Sequence, residues 1–198
     1  IYEHLDWPNF SWDDTALTST LADIRYRQGR LLGKMEGLGF ALRQEASLHT
    51  LTNDVVKSSA IEGESLRPDE VRSSIARRLG IDVAGLIPSS RDVEGIVEMM
   101  LNATQQFEIP LTKERLFDWH AALFPTGRSG MHRITVGAWR TAEAGPMQVV
   151  SGPIGNEKVH FEAPEAGKLD REMTVFLKWF DAKSKIDPVI RVGIAHLW

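Results

Sequence analysis

The chain has 198 residues, 42% of them apolar and 25% charged, with a formal net charge of −4 and a pI near 5.9. That length supports one domain with a substantial core, or a small domain plus an arm. With no cysteine, disulfides and thiolate chemistry are excluded. The acidic balance argues against a broad nucleic-acid or membrane surface, and no apolar run reaches the roughly 18 residues of a spanning helix. The N-terminal residues show no basic region followed by an apolar core, so a cytoplasmic protein is expected.

Residues 1–12 carry Tyr2, Trp7, Phe10 and Trp12 around Pro8. They read as an irregular aromatic arm, packed on a larger body or ordered by a neighbour. Ser11 or Asp13 can cap a long helix in which Leu17, Leu21, Ile24, Leu31, Met35, Leu38 and Leu42 recur at helical spacing. Gly29, Gly33, Gly37 and Gly39 interrupt it. A helix-interior glycine costs up to about 1 kcal/mol, so four of them suggest the close approach of another helix.

A second helix is expected over about 47–62, ending in Ser58-Ser59-Ala60-Ile61-Glu62-Gly63. Ser58 and Glu62 are four residues apart and share one face. Gly63 fits the left-handed residue that closes a helix. A carboxylate at a helix C-terminus meets the negative end of the helix dipole, so Glu62 invites a cation. An Arg fork, which binds both carboxylate oxygens, is the natural partner. The same spacing also arises by chance at ordinary helix ends.

Pro68 fits the first turn of a third helix, with Val71, Ile75 and Leu79 four apart and Gly80 as its stop. Arg72, Arg77 and Arg78 give it a basic side that reads as a solvated face. Residues 85–90 form a linker, and 92–107 a helix with Val93, Ile96, Val97, Met100 and Leu101 on its stripe. Leu116, Trp119 and Leu123 mark the next helix, with His120 as a core or boundary histidine. From 125 to 167 Gly and Pro become dense. Strand-like runs at 147–151 and 158–163 flank a Gly/Pro turn and read as a hairpin. Helices return over 168–181 and after Asp187-Pro188, a cap followed by a first-turn proline.

The Ser58-x-x-x-Glu62-Gly63 pattern resembles the inhibitory helix of Fic-domain proteins. Gly137-Ala138-Trp139-Arg140-Thr141 looks like that family's Gly-x-Tyr/Trp-Arg segment before its hairpin flap. The arm Asp6-Trp7-Pro8-Asn9-Phe10 resembles the N-terminal extension of one bacterial branch. The order of parts matches as well, so the resemblance covers essentially the whole chain. It implies a mainly α fold: a Fic-type helical bundle with one β-hairpin flap and an N-terminal helical extension. The expected division is 1–84, holding the arm and the inhibitory helix, and 85–198, a Fic core with the flap at about 147–163.

The resemblance implies a protein adenylyltransferase that moves AMP from ATP to a Tyr, Thr or Ser hydroxyl of a target, with Mg²⁺. Glu62 would pair with the catalytic-loop Arg and block productive ATP binding. Ser58 would position Glu62 or the loop, or else make only a helix-backbone contact. The target would add as a strand along Val149, Val150 and Ser151 or along Val159, His160 and Phe161. His160 and Glu162 either touch target or nucleotide or are surface polar groups.

The family's loop, His-x-Phe-x-Asp/Glu-Gly-Asn-x-x-Arg, is not among these 198 residues. It is expected after Trp198, and His196 does not stand in for its histidine. No catalytic residue and no metal ligand are therefore expected within the chain, which as written should be inactive. The alternative reading is a non-catalytic helical module that binds partners through the hairpin edge. The target protein is the expected partner and a homodimer is left open, whereas membrane and nucleic acid are not expected.

Overall fold

The computed structural model describes all residues except Ile1, Glu62, Gly130 and Ile154. The chain is mainly α, and among the described residues there are seven α-helices. It divides into two compact units, Ser11–Phe107 and Ile1–Phe10 with Glu108–Trp198. No helix of the described residues is long and apolar enough to cross a membrane.

The unit Ser11–Phe107 contains α1 (Asp14–Glu36), α2 (Phe40–Ile61), α3 (Pro68–Leu79) and α4 (Arg91–Gln105). Asp13 caps α1, its carboxylate accepting the Ala16 N–H at 3.0 Å. The long first helix expected to reach Leu42 stops at Glu36, and the helix expected from about residue 47 begins at Phe40. The break is Gly37-Leu38-Gly39, where paired glycines make continued helix costly. Gly37 and Leu38 instead close α1 onto Gly33 and Met35. The glycines do not mark a close helix approach. At Gly29, Gly33 and Gly39 a Cβ would meet nothing within 4 Å among the described residues.

The core of this unit lies between α2, α3 and α4. Leu48 and Val55 of α2, Val71, Ile75 and Ala76 of α3, and Val93 and Val97 of α4 form one buried cluster. Burying an aliphatic side chain of that size contributes about 1.5–3 kcal/mol, and these three helices supply the unit's buried apolar cluster. Pro68 opens α3 and Gly80, at φ +63°, closes it. Ser90 caps α4 by accepting the Val93 N–H.

The α3–α4 connection is fastened rather than free. Arg77 donates to the Ile87 carbonyl at 2.8 Å and to Ser89 at 2.5 Å. The Ser90 N–H donates to Glu70 at 3.0 Å. The arginines of α3 are likewise not a simple solvated face: Arg72 pairs with Glu45, Arg77 with Glu94, and Arg78 with Glu94 and Glu98.

The second unit contains α5 (Lys113–Leu123), two short antiparallel ladders, α6 (Leu169–Asp181) and α7 (Pro188–Leu197). One ladder joins β1 (Arg128–Ser129) to β2 (His132–Arg133), and the other joins β3 (Gln148–Ser151) to β4 (Lys158–Glu162). Thr112 caps α5 and Asp187 caps α7. The aromatic arm packs within this unit. Trp7 stands 5.5 Å from Trp198 and from Phe10, and Trp198 also meets Phe176 and Trp179 of α6 at 5.5 and 5.2 Å. Edge-to-face and tilted ring pairs of this kind add stabilisation beyond burial alone.

Candidate functional site

The residues singled out in the sequence fall into two groups, one in each unit. The first is the end of α2. Gly63 adopts φ +86°. Its N–H donates to the Ala60 carbonyl at 3.1 Å, and the Glu64 N–H donates to the Ser59 carbonyl at 2.9 Å. These two bonds are those of a Schellman closure, which satisfies carbonyls that a helix end otherwise leaves open. Ser58 is exposed and its neighbour Ser59 is buried. Ile61 is 83% exposed at the last turn. Glu62 lies outside the described residues.

The second group is the β3–β4 hairpin. All nine of its strand positions are exposed. Gln148 pairs with Glu162, Val149 with Phe161, Val150 with Val159 and Ser151 with Lys158. One step on β3 from Val149 to Val150 therefore matches two steps on β4, so His160 is the extra residue of a β-bulge. A bulge bends a strand and re-aims a side chain. His160 uses that freedom to bring Nε2 within 2.6 Å of Ser151 Oγ. The bulge is a property of pairing, and the alternation of Val159 and Phe161 gave no sign of it.

Among the described residues each strand of the hairpin has one partner. Its other edge presents unpaired N–H and C=O groups, which can template a further strand. The turn between the strands requires glycine at 152, where φ is +108° and a Cβ would sit 2.8 Å from the Asn156 carbonyl oxygen.

A two-stranded hairpin is marginal unless something holds it. Here the hold is at its base. The Ala163 N–H donates to the Met147 carbonyl at 2.8 Å, and Tyr2 meets the Phe161 ring at 6.1 Å. Arg140 donates to the Pro164 carbonyl. The segment 137–140 is itself clamped to α5 and α6. Gly137, at φ +64°, donates its N–H to His120 Nδ1 at 3.3 Å. Trp139 packs on Phe117 at 4.7 Å and donates to Asp170 at 3.3 Å. His120 is thus a half-buried hydrogen-bond acceptor at the boundary of the helix. The Lys113 ammonium, 3.0 Å from Asp170, and the Trp139 indole hold the Asp170 carboxyl below its ordinary value.

Among the described residues no three His, Asp or Glu side chains come together to hold a metal ion. The hairpin edge offers backbone donors and acceptors of the kind that an extended strand can pair with, and Ser58 is exposed in the last turns of α2.

A family model described as a domain of unknown function (DUF4172) matches residues 1–81, which span the aromatic arm, α1, α2 and α3. No curated protein matches the chain. Over those 81 residues the chain is similar to that domain family.

Proposed function

We propose that the parent protein is a regulated adenylyltransferase of the Fic type. It transfers AMP from ATP to a Tyr, Thr or Ser hydroxyl of a target protein that docks on the β3–β4 hairpin. The observation that carries the reading is that hairpin. It is exposed along both strands, unpaired at both outer edges among the described residues, and held at its base by a Gly-x-Trp-Arg segment. The order of elements around it, with α6 and an Asp-Pro-started α7 following, supports the same reading. The family match over residues 1–81 is to a domain of undescribed function, so the activity rests on the resemblance and on this geometry.

In this reading Glu62 restrains the enzyme by engaging an arginine of the catalytic loop, and Gly63 fixes where the helix ends. The loop with its histidine, acidic metal ligand and arginine is assigned to residues other than these 198. In this reading the Mg²⁺ ligand belongs to that loop, and among the described residues no three His, Asp or Glu side chains come together to hold a metal ion. What these residues contribute is positioning: a strand edge that holds a target segment in one direction, which brings its hydroxyl to a fixed place.

A second reading, a binding module without catalysis, is favoured by the apolar decoration of the same hairpin. Val149 is 58% exposed and Met147 63%. Intact mass of the full-length parent incubated with ATP and Mg²⁺, wild type beside Glu62→Gly, separates the two. One added adenylate on the variant, and less on wild type, is expected. No adduct on either protein, and none on proteins of a cell extract supplied with labelled ATP, overturns the enzyme reading and leaves the binding module.

A further inference from the structure

We infer that β3 is the docking edge of the hairpin, that the bulge at His160 closes β4 to docking, and that β3 receives an extended segment of a target protein with an uncharged centre. The inference rests on the hairpin as the docking element proposed above and names which of its two edges is used.

A strand that joins a sheet edge meets backbone groups that recur every two residues. The Met147 carbonyl accepts the Ala163 N–H, so it faces β4. By the alternation of an antiparallel pair, Gln148 and Val150 turn their N–H and C=O away from β4, two residues apart. Their cross-strand neighbours, Glu162 and Val159, face outward from β4 in the same way. These two are three residues apart, because the extra residue His160 falls between them. An added strand keeps its own period of two. It can match both outward positions of β3, and only one of β4 at a time.

The bulge is fastened. Ser151 Oγ and His160 Nε2, 2.6 Å apart, hold it across the ladder. β4 also carries Lys158 and Glu162, and Glu162 accepts from the Gln148 side-chain amide at 2.5 Å. Bulges and charged residues are both devices that blunt a strand edge. β3, Gln148-Val149-Val150-Ser151, is uncharged, and every one of its residues has a partner in the register.

The occupant follows from the same edge. Outward N–H and C=O groups call for another backbone. The two valines favour β-branched or aromatic neighbours on the added strand, and no charge on β3 answers a charge at the centre of that strand. A second copy of the chain fits less well. A stable dimer uses about 20–30 residues a side, and β3 has four.

The test uses the isotope-labelled 198-residue chain, followed by nuclear magnetic resonance. The probe is a synthetic peptide in which Thr and Val alternate at the centre, with one Asp and one Lys at each end. Saturable shifts of the β3 amides are expected, and the Val150 amide should gain protection from hydrogen exchange while the Val159 amide does not. Val150→Pro removes an outward donor and spares the ladder, as an edge proline can. It should weaken binding by about tenfold or more. Val159→Pro, which removes the corresponding donor of β4, should leave binding unchanged. If Val150→Pro disturbs the ladder, the exchange of the two amides in the unsubstituted chain carries the test. Three results overturn the inference. The first is protection of Val159 as great as that of Val150. The second is no saturable shift. The third is a concentration-dependent dimer of the free chain, seen by light scattering, that Val150→Pro dissolves. Binding at β4 overturns only the choice of edge, whereas absence of binding removes the hairpin as a docking element; adenylyl transfer is judged separately by intact mass.

Discussion

Arg191 shows how much one side chain can organise. Its guanidinium donates to the carbonyls of Trp179, Phe180 and Ala182 at 2.9, 2.7 and 2.7 Å, and it lies 5.4 Å over the Trp179 ring. The last carbonyls of α6 are the orphan acceptors of a helix C-terminus, where a cation is also favoured by the dipole. Arg191→Ala should cost about 1–3 kcal/mol, read as a lowered thermal midpoint. Arg191→Lys should restore only part of it, because an ammonium lacks the planar fork. Nothing in the sequence announced this role. The wheel of α7 displays Ile190, Ile194 and Leu197 as its apolar face, and the acceptors of Arg191 are backbone groups about ten residues upstream. His120 read as a core or boundary histidine from its place beside Trp119, and its bond to the Gly137 N–H depends on a loop whose path the sequence does not state.

Among the elements, those ruled by local chemistry could be read in advance. Pro68 with Gly80 bounded α3, Asp187-Pro188 began α7, and a Gly/Pro turn between alternating residues marked β3 and β4. The α1–α2 boundary was less legible, since Leu42 continues the spacing of Leu38 across Gly39 and periodicity alone does not see a turn. The basic side of α3 was misleading for a different reason: its partners, Glu94 and Glu98, sit on another helix. Burial pushes the Glu94 carboxyl up, but Arg77, with Ser74, Ser89 and Arg78, pulls it below the ordinary 4.5. A lowered carboxyl stabilises the fold above its unfolded value and loses that contribution as pH falls through the folded one. Glu94→Gln should therefore flatten the decline of the thermal midpoint below about pH 4.5, and lower the midpoint at neutral pH. An unchanged acid limb would show that the pair contributes nothing.

Across the whole molecule, each unit holds its apolar residues in its own way. The α2–α3–α4 unit uses aliphatic side chains closed off from water, with Leu48, Val71, Ile75 and Val97 at 0% exposure. Ile75→Ala should cost about 2–5 kcal/mol through lost burial and the cavity left behind. The other unit relies on ring stacking around Trp198. This difference has a spectroscopic consequence. Of the six tryptophans, the unit Ser11–Phe107 contains Trp12 alone, while Trp7, Trp119, Trp139, Trp179 and Trp198 lie in the other. Intrinsic emission is thus a reporter of the stacked rings and nearly blind to the aliphatic core. Ile75→Ala has to be followed by far-ultraviolet ellipticity, and a melt watched by fluorescence alone would register the wrong half of the protein.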